Sequence, residues 1–293
     1  VEPPRGYEEW ETINGKRVSK LLHLQRALYG TKQASRLWQN TLRDFLLSHG
    51  FRASRADPCV YRLQKGNEEI VVGVYVDDIV CGYRGDKLFN SFKRDFQKRF
   101  QSTYEGELHF FLGLSIDQHK DFSIDLSCEN NIKRMVERYS PQNTVSRDYI
   151  SPDVYAKLER AQTDVERAKV EHFNYASVVG ALLYVSVMAR PDICYHTSML
   201  AKFMADPNEE CCKAALHLLQ YLSTTKNRHL HFSGSVAVPD GLKKFAPDVE
   251  RNHGFVAYSD SSWGNKYPYA MFGYSIYLFG SLVSFGSKQL KTV

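Results

Sequence analysis

Two adjacent aspartates, Asp77 and Asp78, interrupt an apolar run that covers residues 70–80. Valine, isoleucine and tyrosine at this density are typical of a β-strand that is buried on both faces. Ionised carboxylates in such a strand cost several kcal/mol each unless a cation lies against them. Divalent ions such as Mg²⁺ prefer oxygen ligands. The run therefore predicts a metal site at Asp77 and Asp78.

The spacing of the two acids restricts the backbone that carries them. Successive side chains of a strand point to opposite faces, so adjacent acids can share one ion only where the chain turns. We therefore expect a tight β-hairpin with the acids at its bend and residues 80–83 as the returning strand. The alternative is a strand that ends in a solvated Asp-Asp turn. Apolar residues resume directly after Asp78, which favours the hairpin.

Composition bounds the class of protein. A chain of 293 residues suits roughly two domains of about 100–200 residues each. Hydrophobic residues at 43% exclude a disordered tail, and a net charge of +5 permits nucleic-acid binding without requiring it. The six cysteines lack zinc-site spacing, which indicates reduced core residues of an intracellular protein. No apolar stretch reaches the length of a membrane span, and no signal peptide is visible.

Periodicity predicts the elements around the acids. We expect a hairpin loop at Asn14-Gly15, a helix over 31–48 with Gly50 just past its end, and a helix with a core-facing aromatic stripe after residue 86. Paired strands are predicted at 110–116 and 123–127, helices at 132–139, 175–190, 193–204 and 208–223, and a long loop between 141 and 175. Strands are expected again at 254–264, 274–279 and 282–285. Arg190 and Asp192 are interpreted as a helix-stop and cap pair.

Six ordered blocks of the sequence resemble the Pol polyprotein of copia-type LTR retrotransposons. One block is the Tyr-Val-Asp-Asp segment at 75–78, and another is the Tyr-Gly-Thr-Lys-Gln-Ala-Ser-Arg-Leu-Trp segment at 29–38, where the family usually reads YGLKQAPRxW. Further blocks lie at 50–61, 110–116, 179–193 and 254–264. Thr31, Ser35 and Ser262 depart from the family pattern. Tyr269-Ala270 and Phe285 also depart from it. The resemblance identifies an internal fragment that carries reverse transcriptase and the start of RNase H.

The resemblance implies an α+β fold. It would comprise a right-hand polymerase palm, with a ferredoxin-like antiparallel sheet and helices, a helical thumb, and an incomplete RNase H-like α/β module. The implied domains are a fingers remnant and palm at 1–128, a thumb or connection at 129–233, and the RNase H part at 234–293.

The resemblance also implies roles for individual residues. The catalytic acids would be Asp77 and Asp78, and the metal ligands Asp77, Asp78 and Asp260, with Mg²⁺ as the cofactor and Mn²⁺ as a possible substitute. The other implied roles are contact with nucleotide or template by Lys32, Gln33, Arg36, Tyr75 and Val76, and a primer grip formed by Phe111, Leu112 and Gly113. A third polymerase carboxylate is expected upstream of Val1 and further RNase H acids downstream of Val293, so the fragment alone should be inactive or very weak.

Partners and location follow from the same resemblance. The expected partners are an RNA and DNA primer–template, dNTPs, and the rest of a Gag-Pol polyprotein with its integrase, protease and RNase H. No association with a membrane is expected. The expected location is a cytoplasmic virus-like particle or the nucleus. Two other interpretations stay open: a decayed or domesticated non-catalytic nucleic-acid-binding remnant, and a phosphotransferase or nuclease of unrelated fold that uses the acid pair as a metal site.

Overall fold

The computed structural model describes residues 1–140, 146–151, 154–155, 158–233, 254–262 and 270–290. The chain forms two compact units, Val1–Glu105 and Gly106–Val293. Helices and antiparallel sheets occur in both units, in agreement with an α+β fold. Among the described helices, none combines the length and the hydrophobicity that a membrane crossing requires.

The first unit contains two sheets and two helices. Its elements are β1 (Trp10–Ile13), β2 (Lys16–Ser19), α1 (Ala34–Ser48), β3 (Arg52–Ala53), β4 (Val60–Lys65), β5 (Glu68–Tyr75), β6 (Asp78–Arg84) and α2 (Asp86–Arg99). Strands β1 and β2 form the predicted hairpin around Asn14-Gly15, and β3-β4-β5-β6 form an antiparallel sheet in that order. Helix α1 ends as expected, with Gly50 at φ +88° after the last turn.

The core of this unit lies between one face of the four-stranded sheet and the two helices. Buried side chains of β4 and β5 face each other across the ladder, where Leu63 pairs with Ile70 and Tyr61 with Val72. They pack with Leu42, Leu46, Phe51, Leu88, Phe89 and Phe92, and Phe96 and Phe100 border the same cluster. The aromatic stripe of α2 is therefore a core feature, as predicted.

The sequence predicted that β5 is buried on both faces, and this prediction is wrong. Ile70 and Val72 are buried, whereas Val71 and Tyr75 are 39% and 54% exposed. The physical reason is that the buried residues of β4 and β5 share one face of the sheet and both helices pack there, which leaves the alternate side chains in solvent. The acids consequently lie beyond the buried part of the strand.

In its described residues, the second unit joins a four-stranded sheet, a three-stranded sheet and several α-helices. Its strands are β7 (Phe110–Phe111), β8 (Leu114–Gln118), β9 (Ile124–Ser127), β10 (Leu230–Phe232), β11 (Phe255–Ser261), β12 (Met271–Leu278) and β13 (Ser281–Gln289). Its helices are α3 (Glu129–Tyr139), α4 (Asp164–Val170), α5 (Tyr175–Met188), α6 (Cys194–Ala201) and α7 (Glu209–Thr224), with a 3₁₀ turn at Pro191–Ile193. The sheets run β10-β9-β8-β7 and β11-β12-β13.

One hydrophobic core runs through the second unit. Ile116 of β8, Ile132 of α3, Leu182 of α5, Leu218 of α7 and Met271 of β12 belong to the same buried cluster. Residues on both sides of the domain boundaries expected after 128 and 233 belong to this one core. The assignment of its parts to palm, thumb and RNase H remains a prediction.

Helix α4 lies in the segment that the sequence analysis interpreted as a loop. Thr163 accepts a hydrogen bond from the backbone N–H of Glu166, and the Glu166 carboxylate accepts from the backbone N–H of Thr163. This reciprocal capping box has the Thr-x-x-Glu signature, so the signal was present in the sequence. Pro141 and Pro152 of the predicted loop lie outside the described residues.

Two histidines in the second unit predict acid sensitivity. Within the described chain, His217 and Nδ1 of His196 have no hydrogen-bond partner, and Tyr155 lies 4.6 Å from the His196 ring. Burial lowers the pKa of His196 to about 4; the nearby His217 adds a smaller lowering, and the charge of Asp192 partly opposes it. Burial also lowers the pKa of His217, and the positive charge of Arg147 has a smaller effect in the same direction.

Below the ordinary histidine pKa of about 6.5, the unfolded chain therefore binds protons that the folded chain does not. The free energy of unfolding should fall as the pH drops from 7 to 5, by up to about 1.4 kcal/mol per pH unit for each histidine. Urea unfolding of the full chain at pH 7, 6 and 5 measures this slope. Replacement of both histidines by leucine should flatten it, and an unchanged slope would contradict the prediction.

Candidate active site

The two aspartates lie at the tip of a tight β-hairpin. Strands β5 and β6 pair up to Tyr75 and Asp78, which leaves Val76 and Asp77 as a two-residue loop. Asp77 is thus in the turn itself and Asp78 is the first residue of the returning strand. The predicted hairpin with the acids at its bend is confirmed.

The turn has an unusual backbone at Val76. This residue has φ +52°, a left-handed value that is rare for a β-branched side chain. Conformations of this kind persist only where surrounding contacts hold them, and they cluster at functional sites. The indole N–H of Trp38 donates a 2.8 Å hydrogen bond to the Val76 carbonyl, and this bond ties α1 to the turn. Trp38 therefore supports the turn, and its place at the end of the family block at 29–38 did not indicate this contact.

Both carboxylates are exposed and available to a ligand. Asp77 and Asp78 lie on the surface, and neither side chain forms an ion pair or hydrogen bond with another described residue. Paired carboxylate oxygens suit a hard divalent cation such as Mg²⁺. Within the described ranges, no group of three or more His, Cys, Asp or Glu side chains is arranged to bind a metal. The pair alone therefore offers fewer ligands than two metal ions need.

The predicted nucleotide-binding residues lie near the start of α1. Lys32 and Gln33 precede the first helical residue, and Lys32, Gln33 and Arg36 are all exposed. The Trp38 contact brings this end of α1 within about two helical turns of the acid-bearing hairpin. Arg36 stands two residues before Trp38, so the two residues lie on different sides of the helix. Lys32, Gln33 and Arg36 share the exposed end of α1 that Trp38 ties to the hairpin.

The predicted primer-grip residues form a second tight turn, in the other unit. The single strand predicted over 110–116 is wrong, because the chain reverses between β7 and β8, where Phe111 pairs with Leu114. Leu112 and Gly113 have φ +49° and φ +77°, which are the values of a type I′ hairpin turn. The reversal escaped prediction because leucine is not a typical residue at a left-handed position.

Two side chains hold this turn from α3 and α5. Tyr184 donates a 2.5 Å hydrogen bond to the Leu112 carbonyl, and Asn131 donates a 3.0 Å bond to the Gly113 carbonyl. A Cβ added at Gly113 would lie 2.5 Å from the Tyr184 hydroxyl, so only glycine fits there. Tyr184 lies in the family block at 179–193 and in the helix predicted there, and no local signal relates it to a turn 72 residues earlier.

Asp260 lies near the end of β11, opposite Gly273 of β12, and is exposed. No cluster of metal-ligating side chains surrounds it within the described part of the chain. The neighbouring positions Trp263, Gly264 and Tyr269, which entered the RNase H resemblance, lie outside the described residues. Its role as a metal ligand stays a prediction.

The comparisons with known proteins decide the family. A profile of the reverse transcriptase (RNA-dependent DNA polymerase) family matches residues 1–148, which is half of the chain. The chain belongs to the reverse transcriptase family. The acid hairpin, Trp38 and the turn at Leu112-Gly113 all lie within the matched residues.

Curated relatives of this reverse transcriptase chain are transposon proteins. It is 30% identical to the retrovirus-related Pol polyprotein from transposon RE1 of Arabidopsis thaliana, over 96% of this chain and 18% of that protein. It is 29% identical to the corresponding polyprotein from transposon TNT 1-94 of Nicotiana tabacum, over 88% of this chain and 20% of that protein. The putative transposon Ty5-1 protein of Saccharomyces cerevisiae is 28% identical over 100% of this chain and 88% of its own length.

These relatives confirm the predicted resemblance to copia-type retrotransposon Pol polyproteins. The reverse transcriptase chain spans about a fifth of the length of the tobacco and Arabidopsis polyproteins. No solved structure matches it.

Proposed function

We propose that this chain is the RNA-directed DNA polymerase region of a retrotransposon Pol polyprotein and that Asp77 and Asp78 hold its catalytic metal ions. The observation that carries the proposal is the pair of exposed, adjacent carboxylates at the tip of a tight hairpin in a member of the reverse transcriptase family. In this proposal a third carboxylate, encoded upstream of Val1, completes the ligand set.

The carboxylates and their supports have separate tasks. Bound Mg²⁺, or Mn²⁺ in its place, supplies charge stabilisation to in-line transfer of a nucleotidyl group onto a primer 3′ oxygen. Asp77 and Asp78 provide oxygen ligands, and the hydrogen bond from Trp38 to Val76 keeps the turn that carries them in one conformation. Beyond positioning the reactants and stabilising charge, the protein contributes little to this reaction.

The proposed nucleotide and primer contacts lie at the start of α1 and at the two turns. We propose that Lys32, Gln33, Tyr75 and Val76 contact the incoming nucleotide or the template, since Tyr75 and Val76 border the acids and are 54% and 57% exposed. Arg36, at the same exposed end of α1, belongs to the same proposal. The turn formed by Phe111, Leu112 and Gly113 is proposed to hold the primer end, because Tyr184 and Asn131 fix its backbone.

The remaining proposals concern the larger protein. Asp260 is proposed as the first metal ligand of an RNase H module. Relatives named as Pol and Gag-Pol polyproteins support a longer chain with further enzymatic parts as the working context. Under this proposal the substrates are a primer–template of RNA and DNA and dNTPs. The proposed location is a cytoplasmic virus-like particle or the nucleus.

A metal-removal experiment tests the function. We expect a polypeptide that carries this chain and the residues encoded upstream of Val1 to extend a DNA primer on an RNA template with Mg²⁺, and to stop when EDTA removes the metal. The chain from Val1 to Val293 should extend the primer very weakly or not at all. Extension that persists in EDTA, or an extended polypeptide that stays inactive with Mg²⁺ and Mn²⁺, would overturn the proposal.

A non-catalytic nucleic-acid-binding remnant is the second candidate. It is favoured by the absence of a three-ligand metal group within the described residues and by Ser262 at a position where the family carries an aspartate. Such a remnant would bind a duplex with a steep salt dependence but without Mg²⁺. Its affinity would be insensitive to replacement of Asp77 or Asp78.

A further inference from the structure

Three histidines converge on one carboxylate in the sheet β10-β9-β8-β7 of the second unit. Asp125 of β9 is half-buried, and its Oδ2 lies 2.9 Å from Nε2 of His119 and 3.6 Å from Nε2 of His229. Its Oδ1 lies 2.6 Å from Nδ1 of His231. Among the described residues, every ion-pair partner of Asp125 is a histidine. The charge around Asp125 therefore changes in the range in which histidine titrates, about pH 5 to 8.

The register of the sheet brings these side chains together. His231 lies directly opposite Asp125 in the antiparallel pair of β10 and β9, and His229 precedes it by two residues, the repeat of one face of a strand. His119 belongs to the turn that joins β8 to β9. Strand β10 has three residues and forms an edge of its sheet. So short a strand forms few backbone hydrogen bonds, so cross-strand side-chain contacts contribute much of its attachment.

The surroundings of His229 favour its protonated form. Its Nδ1 lies 3.3 Å from the carbonyl oxygen of Asn227, while its Nε2 faces Asp125. A neutral imidazole carries one N–H and the imidazolium carries two. Only the protonated ring can therefore direct a donor to both oxygens, which makes the contact between β10 and β9 strongest when His229 is charged.

The charges on the neighbouring strand and turn act in the same sense. Asp117 lies opposite Asp125 on β8, and Asp121 is in the turn between β8 and β9. The hydrogen bond to Asp125 raises the pKa of His119 against an opposing effect of burial, and the charges of Asp121 and Asp117 add to the increase. Burial would raise the pKa of Asp125, but the hydrogen bonds and charges of the histidines outweigh burial and lower it.

These directions fix the pH range in which the contacts stabilise the fold. A histidine with a raised pKa stabilises the folded state below its ordinary pKa of about 6.5, and this stabilisation is lost as the pH rises through the folded pKa. An aspartate with a lowered pKa stabilises the folded state above its ordinary pKa of about 3.9. His119 and Asp125 are therefore both charged between about pH 4 and 6.5.

We propose that the three histidines around Asp125 form a pH-dependent clasp that holds β10 on β9 more tightly at pH 6 than at pH 8. The effect reaches beyond β10, because the backbone N–H of Ser233 donates a 3.3 Å hydrogen bond to the hydroxyl of Ser281 at the start of β13. Strand β10 thus connects the sheet that contains β7 and β8 to the three-stranded sheet. The clasp does not depend on the proposed polymerase function, since none of its residues belongs to that site.

Amide hydrogen exchange of the full chain at pH 6 and pH 8, corrected for the pH dependence of the intrinsic exchange rate, tests the clasp. The amides of Leu230–Phe232 should be about three- to ten-fold better protected at pH 6, the size expected of two or three half-exposed ion pairs. The amides of α7 should gain no protection at pH 6, because the buried His196 and His217 act in the opposite direction. The gain should therefore be confined to β10.

Two variants remove the clasp from opposite strands. Asp125→Asn keeps the shape of the side chain and removes the charge that the histidines share, so β10 should be protected equally at both pH values. The double variant His229→Gln/His231→Gln removes the titrating rings on the β10 side and should also abolish most of the difference. Asp117→Asn is the matched control, because it removes the same charge from β8, and Asp117 forms no ion pair with a described residue. It should keep most of the difference.

Each contrary result has a definite meaning. Equal protection of β10 at pH 6 and pH 8 in the wild type overturns the clasp, and so does an equal gain in α7. The clasp is also overturned if Asp125→Asn or the double histidine variant keeps the wild-type difference, or if Asp117→Asn abolishes it as completely as Asp125→Asn does.

Discussion

Replacing Asp77 with asparagine should lower Mg²⁺-dependent primer extension by about a thousand-fold, which corresponds to about 4 kcal/mol of transition-state stabilisation. Asparagine keeps the shape of the side chain but removes the negative charge that draws a divalent ion to the hairpin. Asp77 is exposed at the turn, so the variant should fold normally. Single-turnover extension by the polypeptide with its upstream residues measures the loss, and Asp78→Asn should behave in the same way.

Asp44→Asn is the matched control for this prediction. Asp44 is an exposed aspartate on α1 in the same unit, and its replacement removes the same charge away from the hairpin tip. Its extension rate should stay close to that of the wild type. Affinity for the primer–template, measured in parallel, should not weaken in either variant. Equal extension by Asp77→Asn and the wild type would show that this carboxylate does not hold the catalytic metal.

Replacing Asp192 with alanine should destabilise the second unit by about 3–5 kcal/mol, because it leaves the buried guanidinium of Arg190 without its counter-charge. Arg190 is 1% exposed. Its Nε and Nη2 donate to the two carboxylate oxygens of Asp192 at 2.9 and 2.7 Å, and its Nη1 and Nη2 donate to the carbonyl and hydroxyl of Thr225 at 3.0 and 2.7 Å. Tyr221 donates to Asp192 at 2.6 Å.

Protonation of Asp192 would weaken the same network. Burial alone would raise the pKa of Asp192, but the hydrogen bonds and charge of Arg190, with the Tyr221 hydroxyl, outweigh burial and lower it. A carboxyl group whose pKa is lowered by folding stabilises the folded state at pH values above its ordinary pKa. This stabilisation is lost as the pH falls through the pKa that the group has in the folded state. The Asp192→Ala measurement therefore belongs at neutral pH, where the wild-type pair is fully charged.

Amide hydrogen exchange of α5 and α7 at pH 7 measures this loss within the second unit alone. Asp206→Ala provides the control, because Asp206 pairs with Arg167 at a distance of 3.4 Å on the surface, where an ion pair contributes about 0–1 kcal/mol. The double variant Arg190→Met/Asp192→Leu should lose much less than Asp192→Ala, since it leaves no charge unpaired. If Asp192→Ala lowers the free energy of unfolding by less than about 1 kcal/mol, the hydrogen-bond network around Arg190 does not stabilise the unit as predicted.

The interpretation of Arg190 and Asp192 as a helix-stop and cap pair was correct for the stop only. Helix α5 ends at Met188, before Pro191, as expected. The Arg190 side chain makes no capping hydrogen bond to the 3₁₀ turn that follows it, and instead donates to the carbonyl of Thr225, the C-cap residue of α7. A local sequence pattern cannot show this, because the partner lies 35 residues away.

The sequence by itself determined the features that depend on neighbours along the chain. The acid pair at a bend, the aromatic stripe of α2 and the ends of α1 and α5 follow from side-chain periodicity, turn residues and proline, which act within a few residues. The six family blocks added the reverse transcriptase assignment, which the comparisons confirmed.

Only the tertiary structure decided which distant groups support the two turns and how deeply each strand is buried. The bond from Trp38 to Val76 spans 38 residues and that from Tyr184 to Leu112 spans 72. Helices cover one face of the sheet that carries β5, so the strand is half-buried although its sequence is apolar throughout. The physical reason is that hydrogen bonds between elements and the burial of a face depend on which surfaces pack together, and periodicity along one element does not contain that information.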